Sequence, residues 1–274
     1  MKQLRSSLTR GLFALAVAGL GLAVMPSTAR ADVLDFTVDE GQVAGANNVQ
    51  FVADGVTGKY AEVIELGAGT FEASLFVGWT AYTDNNLIVG SQIGDGNPAN
   101  EYALYAVVTA EGTFSQPLPG VFQFEPTLST AAVYVDSNND TTLTLPGDPG
   151  DPVIVNQGTA DNLVMTANVI DQSLSTGLLI NGVTGSFNLM FTNPTLTAFG
   201  NLYWQGLDVF GLVAATNGDF DIIGDNGFDA NINDGRLGGD VSLAFQQVPE
   251  PTSLALFGMG LLGSALVARR RRQA

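Results

Sequence analysis

The sequence predicts an all-β fold: a single β-sandwich with Greek-key or jelly-roll connections, between an N-terminal signal peptide and a C-terminal transmembrane sorting helix. Short segments of alternating apolar and polar residues fill the middle of the chain, and turn dipeptides separate them roughly every ten residues. Charge-free apolar runs lie near both ends. The expected domains are residues 1–31, 32–247 and 248–274.

The N-terminal segment has the three regions of a secretory signal peptide. Basic residues up to Arg10 precede an apolar run over residues 11–24. Ala29 and Ala31 then supply the small-x-small pattern that signal peptidase cleaves, so we expect cleavage after Ala31. Residues 1–31 are therefore a processing segment and are left out of the fold prediction.

The predicted strands share β-branched or aromatic residues and are bounded by Gly, Asn, Asp or Pro. They are residues 60–66, 70–80, 102–109, 131–135, 163–170, 185–191, 200–204, 209–215, 220–223 and 241–245. Turns are predicted at Asp54-Gly55, Asn181-Gly182, Asn217-Gly218, Asn226-Gly227 and Asp234-Gly235. Residues 145–152 are the most loop-like segment, and no window between residues 32 and 248 has a sustained helical period.

The region between the processing segments is strongly acidic. Of the 27 acidic residues only Glu250 lies outside residues 32–248, whereas of the ten basic residues only Lys59 and Arg236 lie inside it. Such a surface repels phosphate groups, which excludes nucleic acid as a partner. The chain has no Cys and no His, which excludes disulfides, the usual zinc sites and His-dependent nucleophiles. We therefore expect a protein that is not an enzyme.

The C-terminal segment consists of a short motif, an apolar run and a basic cluster. In order these are Pro249, Glu250 and Pro251, then residues 252–268, then Arg269, Arg270, Arg271 and Arg272. A helix over the apolar run would be roughly 25 Å long, slightly shorter than the ~30 Å hydrocarbon core. The arginines decide the interpretation, because they are retained on the cytoplasmic side and act as a stop.

These three parts in this order resemble the PEP-CTERM sorting signal of Gram-negative bacteria that make extracellular polysaccharide. The resemblance implies that exosortase, a membrane-embedded cysteine transpeptidase-like enzyme, cuts near Pro249-Glu250-Pro251 after transient inner-membrane anchoring. It also implies a final location at the outer surface or in the extracellular matrix. An ordinary C-terminal anchor is the alternative.

The body of the chain resembles the flocculation-associated PEP-CTERM proteins. The matching blocks are residues 51–54 (FVAD), 59–62 (KYAE), 101–105 (EYALY), 133–136 (VYVD) and 185–189 (GSFNL). This resemblance implies a non-catalytic matrix or surface protein that makes cells aggregate in their exopolysaccharide biofilm. The alternatives are a secreted carbohydrate-active enzyme, glycosidase-like, with the same sorting tail, and an inert coat subunit.

No cofactor is required by the sequence, and calcium is the one that its acidic loops favour. Asp136, Asn138 and Asp140 place oxygen ligands at alternate positions, as at the start of an EF-hand loop. The EF-hand pattern fails further on, because Thr141 and Gly147 stand where it requires Gly and Glu. A looser calcium loop and a solvated turn remain the two interpretations.

Two further sets of residues are candidates for binding. Asp225 and Asp229, on either side of Gly227, suggest a metal turn, with an Asp-rich hairpin loop as the alternative. Trp79 and Tyr82 stand at a predicted strand end and are candidates for stacking on sugar rings, with core packing as the alternative.

Overall fold

The structure, a computed structural model, describes residues 33–94, 100–144, 154–159, 161–180, 184–207, 211–216, 221–222 and 234–246. These residues belong to one compact unit, Asp32–Val248. The predicted signal peptide, sorting segment and 145–152 loop lie outside the described residues. Within the described ranges, no helix has the length and apolar character needed to span a bilayer.

The described residues form mainly antiparallel β-strands with one short α-helix, so the predicted all-β class is confirmed. The strands are β1 (Phe36–Asp39), β2 (Gln50–Ala53), β3 (Gly55–Leu66), β4 (Thr70–Asp84), β5 (Leu87–Val89), β6 (Ala103–Leu118), β7 (Val121–Asp136), β8 (Thr142–Thr144), β9 (Ile154–Asn156), β10 (Asp161–Ala167), β11 (Thr176–Ile180), β12 (Thr184–Phe191), β13 (Thr195–Leu196), β14 (Trp204–Gln205), β15 (Gly211–Thr216), β16 (Asp221–Ile222) and β17 (Asp234–Gln246). A 3-10 turn, η1 (Glu40–Gln42), follows β1, and the helix α1 (Ala198–Tyr203) precedes β14.

Strand β4 shows how the sequence pattern produces this fold. Its sequence, TFEASLFVGWTAYTD, alternates so that Phe71, Leu75 and Trp79 are buried while Glu72 and Thr80 are exposed. Successive side chains of a strand point to opposite faces, so this alternation gives the strand one apolar and one polar face. The apolar face then contributes to the core.

The principal sheet closes on itself. Strands β3, β4, β6 and β7 are successive neighbours, and β17, β15, β12 and β11 continue from the other side of β3. Residues 177–180 of β11 pair with β12 and also with residues 121–124 of β7. Eight strands thus form a closed hydrogen-bonded circuit. A sandwich has two separate sheets, whereas these strands share a single one. The predicted sandwich with Greek-key or jelly-roll connections is therefore not confirmed and stays a prediction.

The interior of the circuit is largely apolar. Leu75 on β4 and Val133 on β7 line the same enclosed space as Leu189 on β12 and Leu243 on β17. All four side chains are almost inaccessible to solvent. At about 25 cal/mol for each Å² of buried apolar surface, this interior is the main favourable contribution to folding.

A second sheet, with strand order β14-β1-β2, packs onto the first through aromatic residues. The ring of Phe36 on β1 meets that of Phe245 on β17 edge to face, with ring centroids 4.9 Å apart. Trp204 on β14 also packs against Phe245, at 5.1 Å. This cluster fixes η1 and α1 next to the principal sheet.

Two local predictions are wrong. Residues 200–204, predicted as a strand, lie mainly in α1, because the hydroxyl of Thr197 accepts a hydrogen bond from the N–H of Gly200 at 2.9 Å and caps the helix. The turn predicted at Asp234-Gly235 lies inside β17, where both residues pair with β3. Pairing with a neighbouring strand overrides local turn preference there.

Candidate functional site

The acidic residues after β7 form a compact loop around the Asp136 side chain, which is completely buried. One carboxylate oxygen of Asp136 accepts the N–H of Asn138 at 3.2 Å, and the other accepts the N–H of Thr141 at 2.8 Å. Asn139 has a positive φ of 52°, a conformation that Asn tolerates better than most residues and that lets the chain reverse within the loop. The carboxylate of Asp136, the first acidic residue of the loop, therefore stabilises the conformation of the loop.

The sheet register adds a third carboxylate to this loop. Asp161, the first residue of β10, lies opposite Asp136 in the antiparallel ladder between β7 and β10. One carboxylate oxygen from each of Asp136, Asp140 and Asp161 lies within 4.8 Å of the others. Like charges directly opposite each other on paired strands repel, so the arrangement calls for a compensating group. We call these three residues the acidic cluster.

The two oxygens of Asp161 differ in their surroundings. Its Oδ2 accepts hydrogen bonds from the hydroxyls of Tyr105, at 2.7 Å, and Thr141, at 3.1 Å. Its Oδ1 is shielded from solvent and has no hydrogen-bond partner among the described residues. Buried carboxylate oxygens normally have a partner, and a bound cation is one of the groups that can supply it.

The exposed member of the cluster, Asp140, faces a neighbouring loop. Its Oδ2 accepts hydrogen bonds from the amide nitrogen of Asn138 at 2.9 Å and from the N–H of Thr159 at 3.2 Å. The Asn138 amide also donates to the hydroxyl of Thr159 at 3.3 Å. The residues predicted as ligands, Asp136, Asn138 and Asp140, are therefore brought together, and Asp161 joins them.

The two basic residues of this region lie on strands that are not adjacent to the acidic cluster in the described sheet. Lys59 and Arg236, the only basic residues between positions 32 and 248, belong to β3 and β17, which pair with neither β7 nor β10. Three carboxylates plus backbone and water oxygens are the ligands that Ca²⁺ accepts, at six to eight positions and flexible geometry. The chemistry of the cluster suits a hard divalent cation.

Tyr105 connects the acidic cluster to an aromatic stack on the outer face of the sheet. Burial raises the pKa of the Tyr105 hydroxyl, and its hydrogen bond to Asp161 raises the pKa further, so the group stays a donor. The ring of Tyr105 stacks on Phe76 and on Tyr134, with centroids 5.5 Å and 5.1 Å apart. Tyr134 and Phe76 are both half-buried.

An open groove lies beside this stack. Tyr134 lines it together with Thr130, Gln157 and Asn168, and it encloses about 830 Å³ including space open to solvent. The amide nitrogen of Gln157 donates to the Tyr105 hydroxyl at 3.0 Å, which links the groove to the acidic cluster. An aromatic ring next to hydroxyl and amide groups can accommodate a sugar ring by stacking and hydrogen bonding.

Trp79 and Tyr82, the aromatic residues that the sequence suggests for sugar binding, do not line this groove. Trp79 is 5 % exposed and Tyr82 is fully buried, because both side chains point into the core. Neither ring presents a face to solvent, so the prediction that this pair stacks on sugars is wrong. Tyr134 was missed, because nothing in the local sequence distinguishes its face of β7 from the core face.

The second predicted metal site cannot be located, because Asp225 and Asp229 lie outside the described residues. Of the surrounding acidic residues, Asp221 is described only through its backbone, which pairs with Gly238 of β17. The sorting residues Pro249, Glu250 and Pro251, the arginines from Arg269 to Arg272 and the cleavage residues Ala29 and Ala31 also lie outside the described residues.

Comparison with known proteins identifies the C-terminal segment. Residues 247–272 match the PEP-CTERM protein-sorting motif. This motif implies an exported protein that exosortase sorts from a membrane-anchored precursor. No curated protein and no solved structure matches the chain, so the resemblance of its body to flocculation-associated proteins is not supported.

Proposed function

We propose that this protein is a non-catalytic surface or extracellular-matrix protein that promotes cell aggregation (flocculation) or adhesion within exopolysaccharide. The PEP-CTERM sorting motif at residues 247–272 carries the proposal, because it establishes export. In this proposal signal peptidase removes residues 1–31, exosortase processes the other end, and the body is released to the outer surface or matrix. In this proposal the two facing halves of the closed sheet correspond to the two layers of the predicted sandwich.

Contact with polysaccharide is assigned to the groove beside Tyr134. An aromatic face next to the polar side chains of Thr130, Gln157 and Asn168 combines the stacking and hydrogen-bonding groups that a sugar ring requires. Because many copies would meet one long polymer, weak individual contacts would add up to firm attachment. No catalytic residue is needed for this role.

A calcium ion in the acidic cluster would support this contact in two ways. It would supply the partner that Asp161 Oδ1 lacks among the described residues, and it would relieve the repulsion between Asp136 and Asp161. Because Asp140 is exposed, coordination positions on that side would stay open to hydroxyl or carboxylate oxygens of a glycan. Calcium could then bridge an acidic protein and an acidic polymer.

The proposal is tested by settling of cells from which the gene is deleted. Deletion should abolish flocs, and the wild-type gene and a Glu125→Gln control, which changes an exposed residue of β7 outside the cluster, should restore them. Asp161→Asn should restore them poorly at equal protein abundance. Normal settling of the deletion strain would reject the aggregation role, and release of reducing sugars from the host polysaccharide would favour an enzyme instead.

A further inference from the structure

A carboxyl group lies inside the closed circuit of strands. Glu62 on β3 is only 7 % exposed, and its neighbours along the inner face of the strand, Tyr60 and Ile64, belong to the hydrophobic core. Among the described residues, none forms a hydrogen bond or an ion pair with the Glu62 carboxyl. A buried ionisable group without a partner is costly, so its presence requires an explanation.

The Glu62 carboxyl borders a cavity at the end of the circuit where β11 and β12 pack over β3 and β4. This cavity, called here the Glu62 cavity, encloses about 500 Å³, part of it open to solvent, and the centre of a water molecule can reach about 50 Å³ of it. Its walls are largely apolar and include Phe71, Ala110, Phe124, Leu179 and Leu189. Among the described residues that line it, Glu62 is the only ionisable one.

The walls of the cavity are rigid aromatic surfaces. The rings of Phe71 and Phe124 meet edge to face, with centroids 5.2 Å apart. Both residues sit on strands of the closed circuit, so the cavity is held open by the backbone ladder and not by a loop. A site that is already formed loses little conformational entropy when a ligand binds.

The electrostatics of the site favour a cation over an anion. Burial raises the pKa of Glu62 to about 7, so the carboxyl is ionised above neutral pH and then has no counter-charge among the residues that the structure describes. The chain as a whole has a net charge of −17, which attracts cations and repels anions. The narrow space limits the apolar part of a ligand to a single chain.

We propose that the Glu62 cavity binds an unbranched aliphatic primary amine, with its ammonium group at the Glu62 carboxylate and its alkyl chain against Phe71 and Phe124. An ammonium group has three donors to offer a carboxylate that no described residue hydrogen-bonds, and the alkyl chain replaces water in a largely apolar space. This inference uses residues on the opposite face of the sheet from the acidic cluster and does not depend on the proposed function.

The test is calorimetric titration of the full chain in lipid nanodiscs with n-hexylammonium, 1-hexanol and hexanoate at pH 8. Empty nanodiscs serve as the blank, because all three probes partition into lipid. Glu62→Gln keeps the shape of the side chain and removes its charge, and Ala110→Leu fills the cavity. Glu65→Gln is the matched control, because Glu65 lies on the same strand and is exposed.

Wild type and Glu65→Gln should bind n-hexylammonium roughly ten- to a hundred-fold more tightly than 1-hexanol and should not bind hexanoate. Glu62→Gln should lose the preference for the amine while keeping the native melting profile, and Ala110→Leu should lose both ligands. The proposal is overturned if wild type does not bind the amine, if hexanoate binds as well as the amine, or if Glu62→Gln leaves amine affinity unchanged.

Discussion

The phenol hydroxyls of Tyr82 and Tyr203 lie 2.7 Å apart in the core, although 121 residues separate them in the chain. Trp204 can only donate, and it donates to Tyr82 at 2.9 Å. At the other end the hydroxyl of Tyr102 donates to a carboxylate oxygen of Glu40 at 3.0 Å. The 2.7 Å bond between Tyr102 and Tyr203 therefore has Tyr203 as donor, and Tyr82 donates to Tyr203. Each of these three tyrosine hydroxyls thus donates one hydrogen bond and accepts one.

Replacing Tyr203 with Phe should interrupt this hydrogen-bonded chain at its centre. Tyr82 would lose its acceptor and Tyr102 its donor, and both hydroxyls would stay buried. We expect the free energy of unfolding to fall by about 2 kcal/mol, measured by urea denaturation. Tyr134→Phe removes a hydroxyl that does not belong to this series of hydrogen bonds. It should change the free energy of unfolding by less than about 0.5 kcal/mol. If both substitutions lowered the free energy of unfolding equally, this arrangement of donors and acceptors would be contradicted.

The burial of Glu62 should make stability depend on pH. Because burial raises its pKa from 4.5 to about 7, the folded state holds a proton that the unfolded state releases. The contribution of Glu62 to stability is therefore constant below pH 4.5, falls between pH 4.5 and 7, and is constant again above this range. The full loss is roughly 3 kcal/mol.

This pH effect is isolated by comparing wild type with Glu62→Gln. The variant should gain stability relative to wild type as the pH rises from 4.5 to 7, measured as the difference in the free energy of unfolding in urea. The Glu65→Gln control should show no such trend, since its side chain is exposed. A difference between wild type and Glu62→Gln that does not change with pH would rule out the buried carboxyl as the cause.

Calcium should raise the melting temperature if the acidic cluster binds it. A ligand present at a hundred times its dissociation constant stabilises a protein by about 2.7 kcal/mol, which corresponds to a shift of several degrees. Asp136→Asn and Asp161→Asn should each remove most of this shift, and Glu125→Gln should retain it. If EGTA and millimolar Ca²⁺ give the same melting temperature for the wild type, the cluster is not a calcium site.

The sorting motif should be needed for release from the membrane. Replacing Pro249, Glu250 and Pro251 with Ala should retain the full-length chain in the inner membrane, detected by fractionation and mass spectrometry of its C-terminus. Ser253→Ala changes the neighbouring tail and should be processed normally. Wild-type export of the triple variant would show that the motif is dispensable.

The strands were predictable where burial on one face imposes a period of two residues. The regions now seen as β3, β4 and the first half of β6 show that alternation clearly. The hairpin between β6 and β7 was missed, although Pro119-Gly120, with φ of 77° at Gly120, is a readable turn signal. Asn85 and Asn86, both with positive φ, form the turn after β4, in the loop that the sequence predicts near the end of that strand.

The candidate site was predictable only in its local part. Asp136, Asn138 and Asp140 lie within one loop, so their spacing in the sequence reveals them. Asp161 joins them through the register between β7 and β10, which depends on which strands pair and cannot be read from a single segment. The same limit applies to Tyr82, whose hydrogen bond to Tyr203 depends on how the second sheet packs on the first.

The closed circuit also restricts how copies of this protein can associate through their β-strands. Each of its eight strands already has a partner on both sides, so an incoming chain finds few free N–H and C=O groups to extend the ladder. Growth into amyloid-like fibres is thereby hindered even at high local concentrations of the protein. In the proposed role, cohesion between cells would then depend on bound ions and glycans, and would loosen when these are withdrawn.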